Sequence, residues 1–311
     1  MDEAPEMSRA ARLRAAEPRL IDVLHRGRER VIGSWDLGGA LVDPGPESCM
    51  ETLLGALEDE PEALLLTHIH LDHAGATGAL VERFPDLEVW VHANGAPHLV
   101  DPTKLLRSAE RIYGDQMGLL WGRVVPVPER NLRVLEGGEA ISVAGRELDV
   151  EYAPGHASHH VVYFDRLDGS AYVGDVAGVR IPPGDFIRMP TPPPDIDVEL
   201  WERSIDLVAA RRPSRIALTH FGDVHDPPAH LERAKERLHE QAGLALAALT
   251  DHGDTEEAMR SFVDEVKRRT RAATDPDTAA VYEQGASVEQ LWMGLRRYWR
   301  KRQGPGLSGL M

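Results

Sequence analysis

The chain has 311 residues, 42% of them hydrophobic and 28% charged, which is enough apolar material for a sizeable core. No apolar run approaches the roughly 20 residues needed to cross a bilayer. Its 35 Lys and Arg against 51 Asp and Glu leave a net charge of −16, which opposes phosphate backbones and argues against a general nucleic-acid binder.

Residues 1–18, charged and Ala-rich, read as an N-terminal arm without an apolar signal segment, so a cytoplasmic location is the expectation. From about Leu20 the pattern turns strand-like. Short β runs lie at Arg30–Trp35 and Ala40–Asp43, the second stopped by Pro44-Gly45. The single cysteine, Cys49, excludes an intrachain disulfide and a Cys-rich zinc site, so any metal must be held by His and carboxylates. A helix is expected from Glu47 to Glu58. Ala63–Leu66 is a continuous apolar run, as in a strand buried on both faces. A helix follows near Asp72 to Phe84, then a strand at Glu88–Val91. Residues 96–122 read as helical, with Leu99, Leu105, Ile112 and Leu120 among the apolar positions.

Short strands resume at Leu132–Leu135, Ala140–Val143, Leu148–Tyr152, Val161–Phe164 and Ala171–Val173. The Pro-rich stretch from Pro182 to Pro194 is expected to be a loop, because proline lacks the amide donor that helices and ladders need. A helix over Val198–Ala210 leads into a strand at Ile216–Leu218. After Pro227-Pro228, residues 229–302 read as helical with no strand signal, and the tail Gly304–Met311 as loose. This order fits two sheets packed face to face with helices outside, plus a helical appendage. The expected division is the arm 1–18, a catalytic domain 19–225 and a helical C-terminal extension 226–311.

The chemistry concentrates in Thr67-His68-Ile69-His70-Leu71-Asp72-His73, directly after the buried strand. His68 and His70 are two apart, so in an extended segment both rings face the same side. Asp72 and His73 lie where the chain turns into a helix and can present a second set of ligands. Neutral imidazole and carboxylate suit Zn²⁺ and its first-row neighbours. Three further loops each place one His or Asp beside glycine at a strand's C-terminal end. They are Ala153-Pro154-Gly155-His156, Val173-Gly174-Asp175 and Leu218-Thr219-His220-Phe221-Gly222. Ligands on loops held by a rigid sheet are the arrangement expected of a site.

In this order the residues resemble the metallo-β-lactamase superfamily, and the whole set is similar to its glyoxalase II-like branch. The resemblance covers roughly residues 20–225 and includes the turn Val42-Asp43-Pro44-Gly45. It implies an α/β (α+β) fold: a four-layer αββα sandwich, the site at one edge of the two sheets, with a C-terminal helical extension. His68, His70 and His156 would bind a first metal, Asp72, His73 and His220 a second, and Asp175 would bridge them. The implied cofactor is two divalent metal ions, Zn²⁺ first with Fe or Mn as alternatives. The implied activity is hydrolysis of a small ester, thioester or lactone by a hydroxide lying between the metals. Asp72 and Asp175 are its expected catalytic carboxylates. The residues' own chemistry agrees: six terminal ligands and one bridging carboxylate leave room for a water between cations roughly 3.5–4 Å apart.

Other readings stay open on the same scaffold. A bridging Asp175 argues against antibiotic hydrolysis, and Gly178 stands where the family's acyl-homoserine lactonases carry a Tyr. An iron-dependent oxidoreductase resembling the persulfide dioxygenases is one alternative, and a phosphodiesterase another. Asp43 is either a partner that orients a ligand His or simple turn chemistry. His159 and His160 are read as part of the next strand, and His225 is left undecided. Residues 96–122 either cover the metal cleft or are ordinary helix core. The last helix ends in Arg296, Arg297, Arg300, Lys301 and Arg302. It is expected to dock on the core or on a partner subunit of a homo-oligomer, not on a membrane. The expected partner is a small-molecule substrate, with no nucleic acid.

Overall fold

The computed structural model describes residues 17–303. Most of the expected arm 1–18 and the tail Gly304–Met311 lie outside the described residues. The strands build two six-stranded sheets. β1 (Arg19–Asp22), β2 (Gly33–Asp36), β3 (Ala40–Val42), β4 (Ala63–Leu65), β5 (Glu88–His92) and β6 (Leu132–Leu135) form the first, in that order. The second contains β7 (Ala140–Val143), β8 (Arg146–Tyr152), β9 (Val161–Asp165), β10 (Ser170–Gly174), β11 (Arg215–Leu218) and β12 (Gly222–Val224). Its spatial order is β12-β11-β10-β9-β8-β7. β12 was not legible as a strand; three residues pair antiparallel with β11 across the turn that holds His220.

Successive side chains on a strand point to opposite faces, and that alternation separates the layers. Val42, Leu65, Leu148, Tyr163 and Tyr172 meet in one cluster supplied by both sheets. Their chain neighbours Leu41, Leu64, Val162 and Val173 belong to a second cluster, shared with the helices. All five residues of β9 and all five of β10 are buried, as expected of central strands covered on both faces. The result is the αββα sandwich.

On the first sheet, α1 (Met50–Ala56) follows a 3₁₀ turn at Glu47–Cys49. The single helix expected over 72–84 is two, α2 (Leu71–Ala74) and α3 (Thr77–Arg83). The Ala76 amide donates to the Gly45 carbonyl at 2.9 Å, so it does not continue the helical ladder. Residues 96–122 fold as α4 (Ala96–Val100), α5 (Thr103–Tyr113), a 3₁₀ turn at Gly114–Gln116 and α6 (Met117–Trp121). The breaks fall at Pro102 and at Gly114, whose φ of +50° suits glycine.

On the second sheet, α7 (Val198–Arg211) is capped by the Asp197 carboxylate, which accepts from the Leu200 amide at 2.9 Å. It lays Trp201, Ile205 and Val208 on the sheet. Four helices follow: α8 (Pro227–His252), α9 (Glu256–Ala273), α10 (Pro276–Gly285) and α11 (Val288–Gln303). Leu231, Phe262, Tyr282 and Trp292 on these helices join the cluster that contains Val173 and Trp201, so the apolar interior is continuous. α11 docks on the chain's own core: the Tyr298 hydroxyl meets the Glu199 carboxylate at 2.9 Å, and Thr191 Oγ1 donates to the Leu291 carbonyl at 3.1 Å. Among the described residues no helix is long and apolar enough to cross a membrane.

Candidate metal centre

β3, β4, β8, β10 and β11 all end at the same edge of the sandwich, and each delivers one piece of the site. Asp43 leaves β3, residues 67–73 follow β4, His156 follows β8, Asp175 follows β10 and His220 follows β11. The structure brings all seven expected residues together in two groups. His68, His70, His156 and Asp175 form one, and Asp72, His73 and His220 the other; within each group the candidate ligand atoms lie within 4.8 Å of one another.

Hydrogen bonds on the far side of the rings fix which nitrogen faces the site. Asp43 Oδ2 is 2.7 Å from His73 Nδ1, so that nitrogen donates and Nε2 is the atom turned to the site. His156 Nδ1 donates to the Pro190 carbonyl at 2.9 Å and His220 Nδ1 to the Val31 carbonyl at 2.6 Å. Thr67 Oγ1 gives its proton to Asp43 Oδ2 at 2.7 Å and therefore accepts from His68 Nδ1 at 3.1 Å. Four rings thus turn their Nε2 atoms toward one small volume.

These atoms have too few partners. His70 Nδ1 lies 2.9 Å from His68 Nε2 and 3.0 Å from His156 Nε2, and a single N–H could serve only one of them. His73 Nε2, His220 Nε2 and Asp175 Oδ1 are buried with no hydrogen-bond partner. Leaving a buried polar atom unpaired costs about 1–3 kcal/mol each, more when charge is involved. Asp175 divides its carboxylate between the groups: Oδ2 is 3.3 Å from His156 Nε2, and Oδ1 is 3.4 Å from His73 Nε2. His220 Nε2 lies 3.4 Å from Asp72 Oδ2. Two ligands about 2.0–2.1 Å from one tetrahedral zinc sit about 3.3–3.4 Å apart, so these separations fit cations in both groups.

The electrostatics separate the two groups. Burial, reinforced by the neighbouring rings, holds His68 well below the ordinary histidine value. Burial foremost, then His156, pushes His70 down to about 4. These rings are neutral ligands at pH 7. Around His73 burial also acts downward, but the carboxylates of Asp175, Asp43 and Asp72 outweigh it and raise the ring well above its usual value. Asp175 is the converse: burial would raise it, and His73 and His156 hold it well below the carboxylate range. The second group is therefore a concentration of negative charge that attracts a cation.

Asp43 performs both roles considered for it. Its φ of +52° makes the turn after β3. Its buried carboxylate also accepts from the Thr67 amide, Thr67 Oγ1, Thr219 Oγ1 and His73. Hydrogen bonds to a charged acceptor are worth about 1.5–3 kcal/mol each, enough for four to offset a burial cost of several kcal/mol.

His159 and His160 are not part of the next strand; they sit in the turn before β9, packed against the site. The two backbone directions are set by the His160 amide, which donates to Ala157, and by the Val161 amide, which donates to the Thr67 carbonyl. His160 Nε2 accepts the Asp175 amide at 3.2 Å and its ring stacks on His68, while His159 stands 5.7 Å from His70. His225 is exposed and belongs to neither group. At Gly178, with φ of +77°, a Cβ would meet Met189 Sδ at 2.7 Å, so a tyrosine has no room there. Thr67, Thr219 and His160 are supporting residues that sequence reasoning missed. The first two had a signal, since a Thr precedes a candidate ligand in both Thr67-His68 and Thr219-His220.

Two cavities open onto the groups. One of about 820 Å³ borders Asp72 and His220 and reaches under α9, α10 and α11. The other, of about 370 Å³, borders His70, Asp72 and Asp175 and runs along α5 and the Pro192–Pro194 segment. Residues 105–121 wall both, so the 96–122 segment covers the cleft. Tyr113 lines both, with its hydroxyl donating to Gln290 Oε1 at 3.3 Å.

The sequence from residue 36 to 220 matches the family model of the metallo-beta-lactamase superfamily. The metallo-beta-lactamase fold-containing protein ST1585 of Sulfurisphaera tokodaii is 28% identical over 183 residues, spanning 58% of this chain and 67% of that protein. A hydroxyacylglutathione hydrolase of Aeromonas salmonicida is 31% identical over 135 residues, 43% of this chain and 41% of the hydrolase, less than half of that enzyme's length. The solved structure of ST1585 superposes with a TM-score of 0.63 at 21% identity, covering 86% of this chain and 93% of that one. The metallo-beta-lactamase family protein TTHA1429 of Thermus thermophilus gives 0.63 at 20% identity, with 92% and 93% covered. Fold, residue order and family model coincide: the chain belongs to the metallo-β-lactamase superfamily.

Proposed function

We propose that the chain is a metal-dependent hydrolase of a small ester, thioester or lactone. The observation that carries this is the convergence of His73 Nε2, His220 Nε2 and Asp175 Oδ1, buried and without partners, beside three more histidine nitrogens. His68, His70 and His156 would hold one divalent cation and Asp72, His73 and His220 the other, with one Asp175 oxygen toward each. Such a pair, zinc in the first instance, supplies Lewis acidity and a water acidic enough to act as nucleophile near neutral pH.

The chain's own residues prepare that chemistry. Asp43, Val31 and Pro190 lock the ring orientations, and His160 holds the Asp175 backbone, so the groups are preorganised. Asp72 is the most open of the three carboxylates around His73, with its side chain 22% exposed, and it borders both cavities. That position lets it accept the proton released on attack and return it to the leaving group. Burial, aided by the charge of Asp72, raises the Tyr113 hydroxyl far above neutral, so it stays a donor between the cavities.

The test offers thioester, lactone and aryl-ester substrates under anaerobic conditions and in air, with oxygen uptake recorded. The reading expects cleavage without oxygen, suppressed by chelators. Stoichiometric oxygen consumption on a persulfide, with no ester or thioester cleaved in either atmosphere, would overturn it in favour of the iron-dependent oxidoreductase. Cleavage of phosphodiesters alone would replace it with a phosphodiesterase.

A further inference from the structure

The two cavities meet at Asp72, yet their walls differ in chemistry. The smaller is walled by Leu105, Ala109 and Ile112 of α5 and by Pro192, Pro193 and Pro194. Its charged residues beyond the metal groups, Lys104 and Asp195, are one of each sign. The larger carries Arg26, Arg188, Lys267 and Arg271 against Asp72 and Glu283. That excess of positive charge stands out in a chain of net charge −16.

Pairing removes only part of the excess. Arg188 lies 3.6 Å from Glu283, and Lys267 lies 2.9 Å from Glu289. Arg26 and Arg271 have no carboxylate within ion-pair distance among the described residues. Arg188 is 2% exposed and leaves its Nε without a partner. One buried guanidinium with a free Nε, and two exposed arginines without ion pairs, line the same cavity, an arrangement that can take up an oxyacid anion. The Tyr113–Gln290 contact stands on the border of both cavities, so each would take one arm of a molecule whose centre lies at Asp72.

We propose that the substrate is two-armed: an apolar acyl chain lies along α5 in the smaller cavity, and an arm ending in a carboxylate or phosphate lies under α9 and α10 in the larger. The proposal rests on the hydrolase reading for which bond is cut, but not for where the arms lie. Arg26 and Arg271 select the anionic arm, Ile112 and Leu105 the apolar one.

Uncleavable amides test it on the metal-replete full chain by calorimetry. The probes are N-hexanoylglutamate, N-hexanoyl-O-phosphoethanolamine, the neutral N-hexanoylglutaminamide and the short N-acetylglutamate. The expected result is that at least one anionic hexanoyl probe binds ten-fold or more tighter than the neutral one, and the tighter of the two identifies the anion. N-acetylglutamate should bind more than ten-fold weaker than its hexanoyl counterpart, since about 0.8 kcal/mol per buried methylene over four methylenes exceeds that factor. The R26S/R271S double variant should lose the charge preference while binding the neutral probe as before. Equal binding of charged and neutral probes, a preference that survives in R26S/R271S, equal binding of acetyl and hexanoyl forms, or no binding up to millimolar concentration would each overturn the proposal. If binding follows the expectation while no ester or thioester is cleaved, the hydrolase reading fails and the two-armed site stands. If esters are cleaved with no charge preference, the reverse holds.

Discussion

The Asp43 carboxylate gathers four donors from three residues and hands one ring, His73, to the second ligand group in a fixed orientation. Asp43→Asn keeps the shape but presents an amide to donors that need an acceptor. The second cation should then bind about 10–100-fold more weakly, as for other removed partners of ligand histidines, while the first is retained. Competition with a chromophoric chelator measures both affinities; unchanged binding of both cations would contradict the role given to Asp43. At this scale the sequence was most legible where residue type and spacing determine chemistry. His68, His70, Asp72 and His73 could be read as ligand candidates because they are close along the chain. The acceptors of His156 and His220 could not, because they are the backbone carbonyls of Pro190 and Val31, brought in from distant loops.

The C-terminal helices carry two expectations at the scale of elements. His230 on α8 is fully buried and donates from Nε2 to the Ala177 carbonyl at 2.9 Å, and burial pushes its pKa down to about 4. The unfolded chain, with an ordinary histidine near 6.5, binds more protons in this range, so the contribution is complete above about pH 6.5 and is lost as pH falls toward 4. Between pH 7 and pH 5 that loss is about 2 kcal/mol. Denaturant melts of His230→Gln should show a flatter stability profile over that interval, and the same slope as the parent protein would contradict it. Gly294 on α11 packs where a Cβ would meet the Thr191 carbonyl at 2.0 Å. Alanine is better than glycine in a helix by about 1 kcal/mol, but overpacking costs about 1–3 kcal/mol, so Gly294→Ala should lower the thermal midpoint. A higher midpoint would show that α11 yields freely.

Element boundaries were legible where apolar runs end at Gly or Pro, as at Val42 before Pro44-Gly45. They failed where tertiary hydrogen bonds decide. The helix over 72–84 breaks because the Ala76 amide finds Gly45, and β12 exists only by pairing with β11. The turn holding His159 and His160 looked like strand because its apolar neighbours continue into β9.

For the molecule as a whole, the sheets and C-terminal helices share a continuous apolar interior that does not depend on the ligand groups. Chelation should therefore leave far-ultraviolet circular dichroism unchanged while lowering the thermal midpoint, since cations bound only to the folded state stabilise it by mass action. Loss of helix signal on chelation would mean that the metals hold the fold itself. The αββα order was legible because β-rich and helical stretches alternate twice along the chain. The division of space above the ligand groups was not, because both cavities draw on α5, α10 and α11, and the larger also on α9, elements far apart in sequence.

Elemental analysis of metal-replete protein after removal of free metal counts the cations that the two ligand groups hold. Seven residues in two groups, with Asp175 divided between them, predict two divalent cations per chain. A stoichiometry of one would contradict it, leaving His73 Nε2, His220 Nε2 and Asp175 Oδ1 buried without the partner the account assigns them.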